Sequence, residues 1–388
     1  MKRLLLIALS VALLLSFIGC RRSGEEMPPE ETDPPVTENA PDAPEAAPSP
    51  AALRVTDLVD ILDALDLSEA TLAYHSDIKT EDSYPADAAI RSEDYIEKLK
   101  AFAWVIYEPS AEQEPEADRF YQLSTSGAAI TAFPGGHDSS RLLHLITNDG
   151  EGWFILPDIK SEQEQLVTQP SWMMTELFFQ WYTEARSASL YSGSGTPLSA
   201  EELEFFETYT EGSYMEYDPE FGGYHGGSTQ ISCFFTSQYD DVRELDFEEF
   251  LRYFPNWDSS IFATDAEFEA LKSVEAWPFD WVETRDDMPV PIHKYPRSTV
   301  DAVLTKYAGI TTADLLDTSG VAYLEEYDAF YNYTSDFGPG MFTPRYGETN
   351  GSIVTLWGIP AYDGSTGILQ LEKVDEVWHI LSHQSVES

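Results

Sequence analysis

Apolar residues recur with two periods in this chain, and the period switches along it. Val55, Leu58, Val59, Leu62 and Leu65 are spaced by three and four, which predicts an amphipathic helix over 55–67. Ser92 is placed to cap a second helix carrying Tyr95, Ile96, Leu99 and Phe102 on one face. Short strands are expected at 119–124, 128–133, 142–147 and 152–156, the last two flanking the hairpin signal Asn148-Asp149-Gly150. The stretch 172–182 is apolar nearly all round, as buried helices are. Two helices, a small antiparallel meander and a covering helix make an α+β domain over 53–196.

The second half repeats that logic. Ser199 and Glu202 form a capping box before Leu203, Phe206 and Tyr209. Asp246 is expected to cap 247–254, and Thr264 with Glu267 marks another helix start. Ser298 opens the clearest helix, with Val300, Val303, Leu304 and Tyr307 on one stripe and Gly309 at its end. Strands are expected at 321–325, 328–333, 352–357, 367–371 and 377–382, with Asn350-Gly351 and Asp375-Glu376 at turns. Helices followed by an antiparallel sheet predict a second α+β domain over 197–388. The glycines of 191–195 read as a linker between the two, and 221–227 reads as a flexible loop. The polar string 134–140 is either a site or, as is more common, a plain turn.

The first twenty residues have a different organisation. Lys2 and Arg3 precede an apolar run over 4–15, and Phe17-Ile18-Gly19-Cys20 closes it. The run is too short to span a bilayer and reads as a signal peptide, residues 1–19. A small residue before cysteine resembles the lipobox of bacterial lipoproteins, although Phe17 replaces the usual leucine. That resemblance implies diacylglycerol on the Cys20 sulfur and cleavage before it. Two or three acyl chains, at about 0.8 kcal/mol per buried CH₂, would hold the chain on the extracytoplasmic face of the cell membrane.

Residues 20–52 carry the lipidated cysteine and an acidic tether with almost no large apolar residue, so they should stay disordered. Their proline content favours extended polyproline II, reaching on the order of 100 Å. The whole chain has a net charge of −47, which excludes nucleic acid as a partner and would favour a cationic one. With Cys20 acylated, Cys233 has no disulfide partner; within Ile231-Ser232-Cys233-Phe234-Phe235 it reads as a buried core residue.

Four stretches, in order, carry a further resemblance. They are Pro197-Leu198-Ser199-Ala200-Glu201-Glu202-Leu203, Phe235-Thr236-Ser237-Gln238-Tyr239-Asp240-Asp241, the segment 300–311, and Tyr323-Leu324-Glu325-Glu326-Tyr327-Asp328 on to Asp336. Together they resemble acidic extracytoplasmic proteins of clostridia similar to the IseA (YoeB) family of D,L-endopeptidase inhibitors. The resemblance covers 197–388 and implies binding of an NlpC/P60-type wall hydrolase and obstruction of its active-site cleft.

No catalytic constellation accompanies it. The nucleophile elbow, phosphate loop, dinucleotide fingerprint, Cys-x-x-Cys pair and EF-hand spacing are all missing from the sequence. His379 and His383 fall in an expected strand, on one face but about 13 Å apart, too far to share a metal. Carboxylates are too numerous to single out a glycosidase pair. No cofactor or metal is expected. Tyr323, Glu325, Glu326, Tyr327, Asp328 and Asp336 could stack on a sugar or present acid to a basic enzyme; the plainer reading is a strand pair with solvated acids on one face. The sequence thus favours a non-enzymatic, membrane-anchored binder of a wall hydrolase, with a module binding wall glycan or peptide as the alternative.

Overall fold

Several helices in this protein begin where a side chain satisfies a free amide at the helix start. α1 (Val55–Asp63) starts after Arg54, whose amide donates to Asp57 at 2.7 Å. α2 (Ser92–Ala101) and α3 (Pro170–Tyr191) follow. α4 (Ala200–Tyr209) has the expected box: the Ser199 amide donates to Glu202 at 2.8 Å, and Ser199 Oγ accepts from the Glu202 amide at 3.3 Å. Asp246 caps α5 (Phe247–Arg252), and Thr264 with Glu267 boxes α6 (Asp265–Leu271). α7 (Arg297–Ala308) ends at Gly309, whose φ of 68° suits the left-handed cap. Ser92, expected as a cap, is instead the buried first residue of α2, and Arg91 takes the cap position. The structure, a computed structural model, describes residues 51–387 except 77–81, 109–118, 134–141, 157–158, 161–165, 168–169, 219–222, 256–261, 335–337, 339 and 362–363. The signal peptide, Cys20, most of the tether, the 134–140 string and Asp336 lie outside the described residues.

The chain is an α+β protein. Its first sheet is built from β1 (Ala51–Ala52), β2 (Thr71–Ser76), β3 (Asp82–Pro85), β4 (Val105–Tyr107), β5 (Arg119–Ser124), β6 (Ala128–Ala132), β7 (Leu142–Thr147) and β8 (Gly150–Ile155). The order is β1-β8-β7-β6-β5-β2-β3, with β4 also on β8; every pairing is antiparallel except β1 on β8. α1, α2 and α3 cover one face, where Leu58, Leu72, Leu99, Phe154, Phe178 and Trp181 are fully buried. Each such side chain contributes about 1.5–3 kcal/mol. A small pair, β9 (Ile159–Lys160) and β10 (Leu166–Val167), precedes α3.

In the second half β11 (Thr196–Pro197) leads into α4, and β12 (Ser213–Asp218) pairs only with β13 (Gly223–Ser228). β14 (Ile292–Pro296), β15 (Ala322–Leu324) and β16 (Ala329–Tyr333) form a sheet of order β14-β16-β15. β17 (Pro344–Asn350), β18 (Ile353–Pro360), β19 (Thr366–Val374) and β20 (Val377–Val386) form a meander that β11 extends at its β17 edge. One core lies under the meander around Phe206, Phe234, Phe250, Leu304 and Leu369; a smaller one joins α6 to the three-stranded sheet through Phe268, Trp277 and Tyr331.

The segment expected to be a free linker is held at three points. Tyr191, the last residue of α3, stacks on Trp357 with centroids 5.8 Å apart and rings 7° from parallel. The amides of Gly193 and Gly195 donate to the Glu348 carboxylate at 2.6 and 3.1 Å. Thr196 and Pro197 then pair with β17. A Cβ on Gly195 would lie 2.8 Å from Glu348 Cβ, so only glycine allows this approach. α3 itself packs on β17 and β18 as well as on the first sheet. Residues 50–388 therefore form one compact unit.

Candidate functional site

The acid-rich segment singled out in the sequence is a hairpin. Tyr323 ends β15's outward positions, Glu325–Tyr327 form a single 3-10 turn, and Asp328 enters β16 at a φ of 45°. The Tyr323 hydroxyl donates to Asp328 Oδ1 at 2.6 Å. Arg297 lies over the Tyr323 ring at 4.7 Å and beside Asp328 at 3.4 Å, while Lys294 sits 5.4 Å over the Tyr327 ring. The structure thus brings Tyr323, Tyr327 and Asp328 together with two cations, and leaves Glu325 and Glu326 exposed. Phe330, Tyr331 and Asn332 are buried.

Several other residues have structural employment. Cys233 is 1% exposed in a 3-10 segment, its thiol pushed up by burial. His383 is buried among Phe235, Tyr239 and Phe342, with Nδ1 2.7 Å from the Ser237 carbonyl oxygen; burial lowers its pKa. His379 lies instead against Gly309. The register passes from Leu371↔Ile380 to Gln370↔Ser382, so a bulge at Leu381 interrupts the alternation that would set the two histidines on one face. Among the described residues, no three His, Cys, Asp or Glu side chains are grouped to hold a metal ion, and no helix is long and apolar enough to cross a membrane.

The buried carboxylates are tied into the architecture. Glu184 on α3 is fully buried; it accepts from Arg91 Nε at 2.7 Å, from Arg91 Nη2 and from the Tyr95 hydroxyl. Burial pushes its pKa up, against the pull of Arg91. Arg91 also donates to Glu207 on α4, and Arg345 of β17 meets the same carboxylate at 2.9 Å. This two-arginine, two-glutamate cluster joins the halves of the chain. Burial alone would raise the Glu348 pKa, but the two glycine amides and the Tyr346 hydroxyl outweigh it and hold the carboxyl below its ordinary value. Glu267 is 1% exposed and accepts from the Thr264 amide at 2.6 Å, Lys294 at 2.5 Å and Tyr331 at 2.7 Å. Those donors override burial and lower its pKa to about 2.

A second surface has the opposite character. From Ser187 to Val242 the sequence has no lysine or arginine, while Glu201, Glu204 and Glu211 on and just after α4 are exposed. The β12–β13 hairpin follows α4, and the sequence across it includes Glu216, Asp218 and Glu220. At its base a groove of about 330 Å³ opens between Thr208, Glu211 and Ser213 on one side and Met341, Phe342 and Thr343 on the other. Met215 is 75% exposed and Met341 69%. The reason for the first is local: Met215 pairs with Gly226, so no side chain stands directly opposite it. This surface is missed by a search for motifs. Its signal is the long interval without a cation, which periodicity analysis does not weigh.

On the first sheet, the face away from the helices bears a row of rings. His75 stacks on Phe120 at 4.2 Å, Phe120 meets Phe133 at 6.3 Å, Phe133 stacks on Trp153 at 5.6 Å, and Trp153 on His144 at 4.0 Å. Gln122 and Thr131, hydrogen-bonded to each other at 3.3 Å, lie beside the row. No family model matches the chain, and neither a curated protein nor a solved structure matches it.

Proposed function

We propose that this chain is a lipid-anchored extracytoplasmic protein without catalytic activity that docks onto and restrains a cationic cell-wall hydrolase, of the NlpC/P60 type that the resemblance implies. The observation that carries the reading is the β12–β13 hairpin, which pairs with no other described strand and follows α4 in a stretch of sequence without lysine or arginine. An acidic surface steers onto a basic partner. The engagement of Glu184, Glu267 and Glu348 by arginine, lysine and backbone amides supports the non-catalytic part. Cys20, with the apolar run before it, supports the membrane anchor.

The test is digestion of purified peptidoglycan by a panel of NlpC/P60 hydrolases, followed by loss of turbidity. Dose-dependent inhibition that weakens as salt rises is expected. Unchanged digestion across the panel would sink the hydrolase reading. A second reading, binding of wall glycan, is favoured by the ring row on the first sheet, since sugars stack on aromatic faces. It requires that the protein sediment with hydrolase-free peptidoglycan, and that Trp153→Ala abolish this.

A further inference from the structure

We infer that the groove at the base of the β12–β13 hairpin is the anchor point of the docking surface, and that it takes an apolar side chain presented on a basic segment of the partner protein. This rests on the docking reading above and assigns the chemistry of its contact.

The groove is a built feature. A Cβ on Gly212 would collide with the Gly340 carbonyl oxygen, and one on Gly340 would meet the Phe235 and Ser232 backbones, so two glycines let these segments touch. Phe342 forms a rigid floor, 5% exposed and packed 5.7 Å from Phe235. The walls are mobile in a useful way. Met341 lines the groove and Met215 lies beyond it, two residues along β12 from the lining residue Ser213, and their unbranched thioethers adapt to whatever apolar group enters. An exposed methionine at the lip of a groove floored by Phe342, with a second on the adjoining strand, is the kind of apolar feature that marks an interaction site.

Charge selects the occupant. Arg91 and Arg345 approach Glu207 from behind and are consumed by it and by Glu184. The sequence between Ser187 and Val242 supplies no lysine or arginine, so the exposed Glu211 and Glu204 leave this side of the rim negative. Anionic lipid, nucleic acid and acidic polymers are repelled. A lysine- or arginine-rich segment with one apolar residue pointing down satisfies rim and floor together.

The experiment uses the full chain in detergent micelles and two synthetic peptides of equal charge, one alternating lysine with leucine and one alternating lysine with alanine. The leucine peptide should bind at least tenfold more tightly, and should shift the methyl resonances of Met215 and Met341 but not that of the fully buried Met174. Met215→Ser with Met341→Ser should erase that tenfold preference, whereas Trp281→Ser, at another exposed apolar residue, should preserve it. Equal affinity for the two peptides, unmoved Met215 and Met341 methyls, or a preference that survives the double substitution would each overturn the assignment. Leucine-selective binding at the groove without inhibition of any hydrolase would defeat the hydrolase reading and leave the groove standing. Hydrolase inhibition that the double substitution leaves unchanged would do the reverse.

Discussion

Arg91 and Glu207 lie 116 residues apart in the chain, yet Arg91 Nη1 donates to Glu207 Oε2 at 2.8 Å across the boundary between its halves. The contact matters because Arg91 is also the only arginine in hydrogen-bond contact with the buried Glu184 among the described residues. Removing one partner of a buried pair leaves an uncompensated charge. Arg91→Ala should therefore cost about 3–5 kcal/mol in urea unfolding. Arg91→Lys should recover only part of this, because a single ammonium cannot reproduce the forked contacts to two carboxylates. A loss below about 1 kcal/mol for Arg91→Ala would show that the cluster does not hold the halves together.

Glu348 offers a separate test of the same boundary. Its carboxylate accepts from two glycine amides and from Tyr346, and amide substitution turns a donor toward those donors. Glu348→Gln should cost about 1–3 kcal/mol and open the 191–197 segment to limited proteolysis. Gly195→Ala should do the same by steric conflict. A segment as protease-resistant as before would contradict the clamp.

Acid stability should report on Glu267. Its pKa falls from an ordinary 4.5 to about 2 on folding. The folded value lies below the unfolded one, so the stabilisation is complete above pH 4.5 and is lost as pH falls toward 2. Its size is on the order of 2–3 kcal/mol. Comparing unfolding free energies of the wild type and Glu267→Gln between pH 2 and 6 should show a gap that closes on acidification. A gap independent of pH would remove Glu267 from the account.

The β19–β20 turn carries strain that substitution can relieve. Asp375 and Glu376 both have positive φ, 47° and 65°, where a side chain is disfavoured. Glu376→Gly should raise stability by about 1 kcal/mol. The lost ion pair with Lys373 offsets little, since Glu376 is almost wholly exposed. An unchanged or lower denaturation midpoint would count against it.

Local signals made much of this fold legible. Ser199 with Glu202, Thr264 with Glu267, Asp246 and Gly309 mark helix ends through contacts a few residues long, and each occurs as the sequence indicates. The 3.6-residue stripe of α7 was equally plain. What escaped notice depends on distant partners. β2 and β3 show no clean alternation, because Tyr74 and Tyr84 pack with Tyr182 of α3 near the end of the sheet. α3 runs on through Thr183, Glu184, Arg186 and Ser187, polar residues that are nonetheless buried, Glu184 against the distant Arg91 and Tyr95. β13 is rich in glycine and so reads as a loop until β12 is laid beside it. The groove at the base of the β12–β13 hairpin joins 207–213 to 341–343, a juxtaposition no spacing rule anticipates.

Helix α3 belongs to two cores at once, and this constrains how such a protein can arise. A gene segment encoding residues 197–388 alone would inherit Arg345, Glu348 and Trp357 stripped of Arg91, the glycine amides and Tyr191. A segment ending at Tyr191 would keep Glu184 with Arg91 and Tyr95 but would strip Arg91 of Glu207 and Tyr191 of Trp357. Neither half can be shuffled into a new setting without recasting its surface. The two are therefore expected to descend, diverge and be lost together.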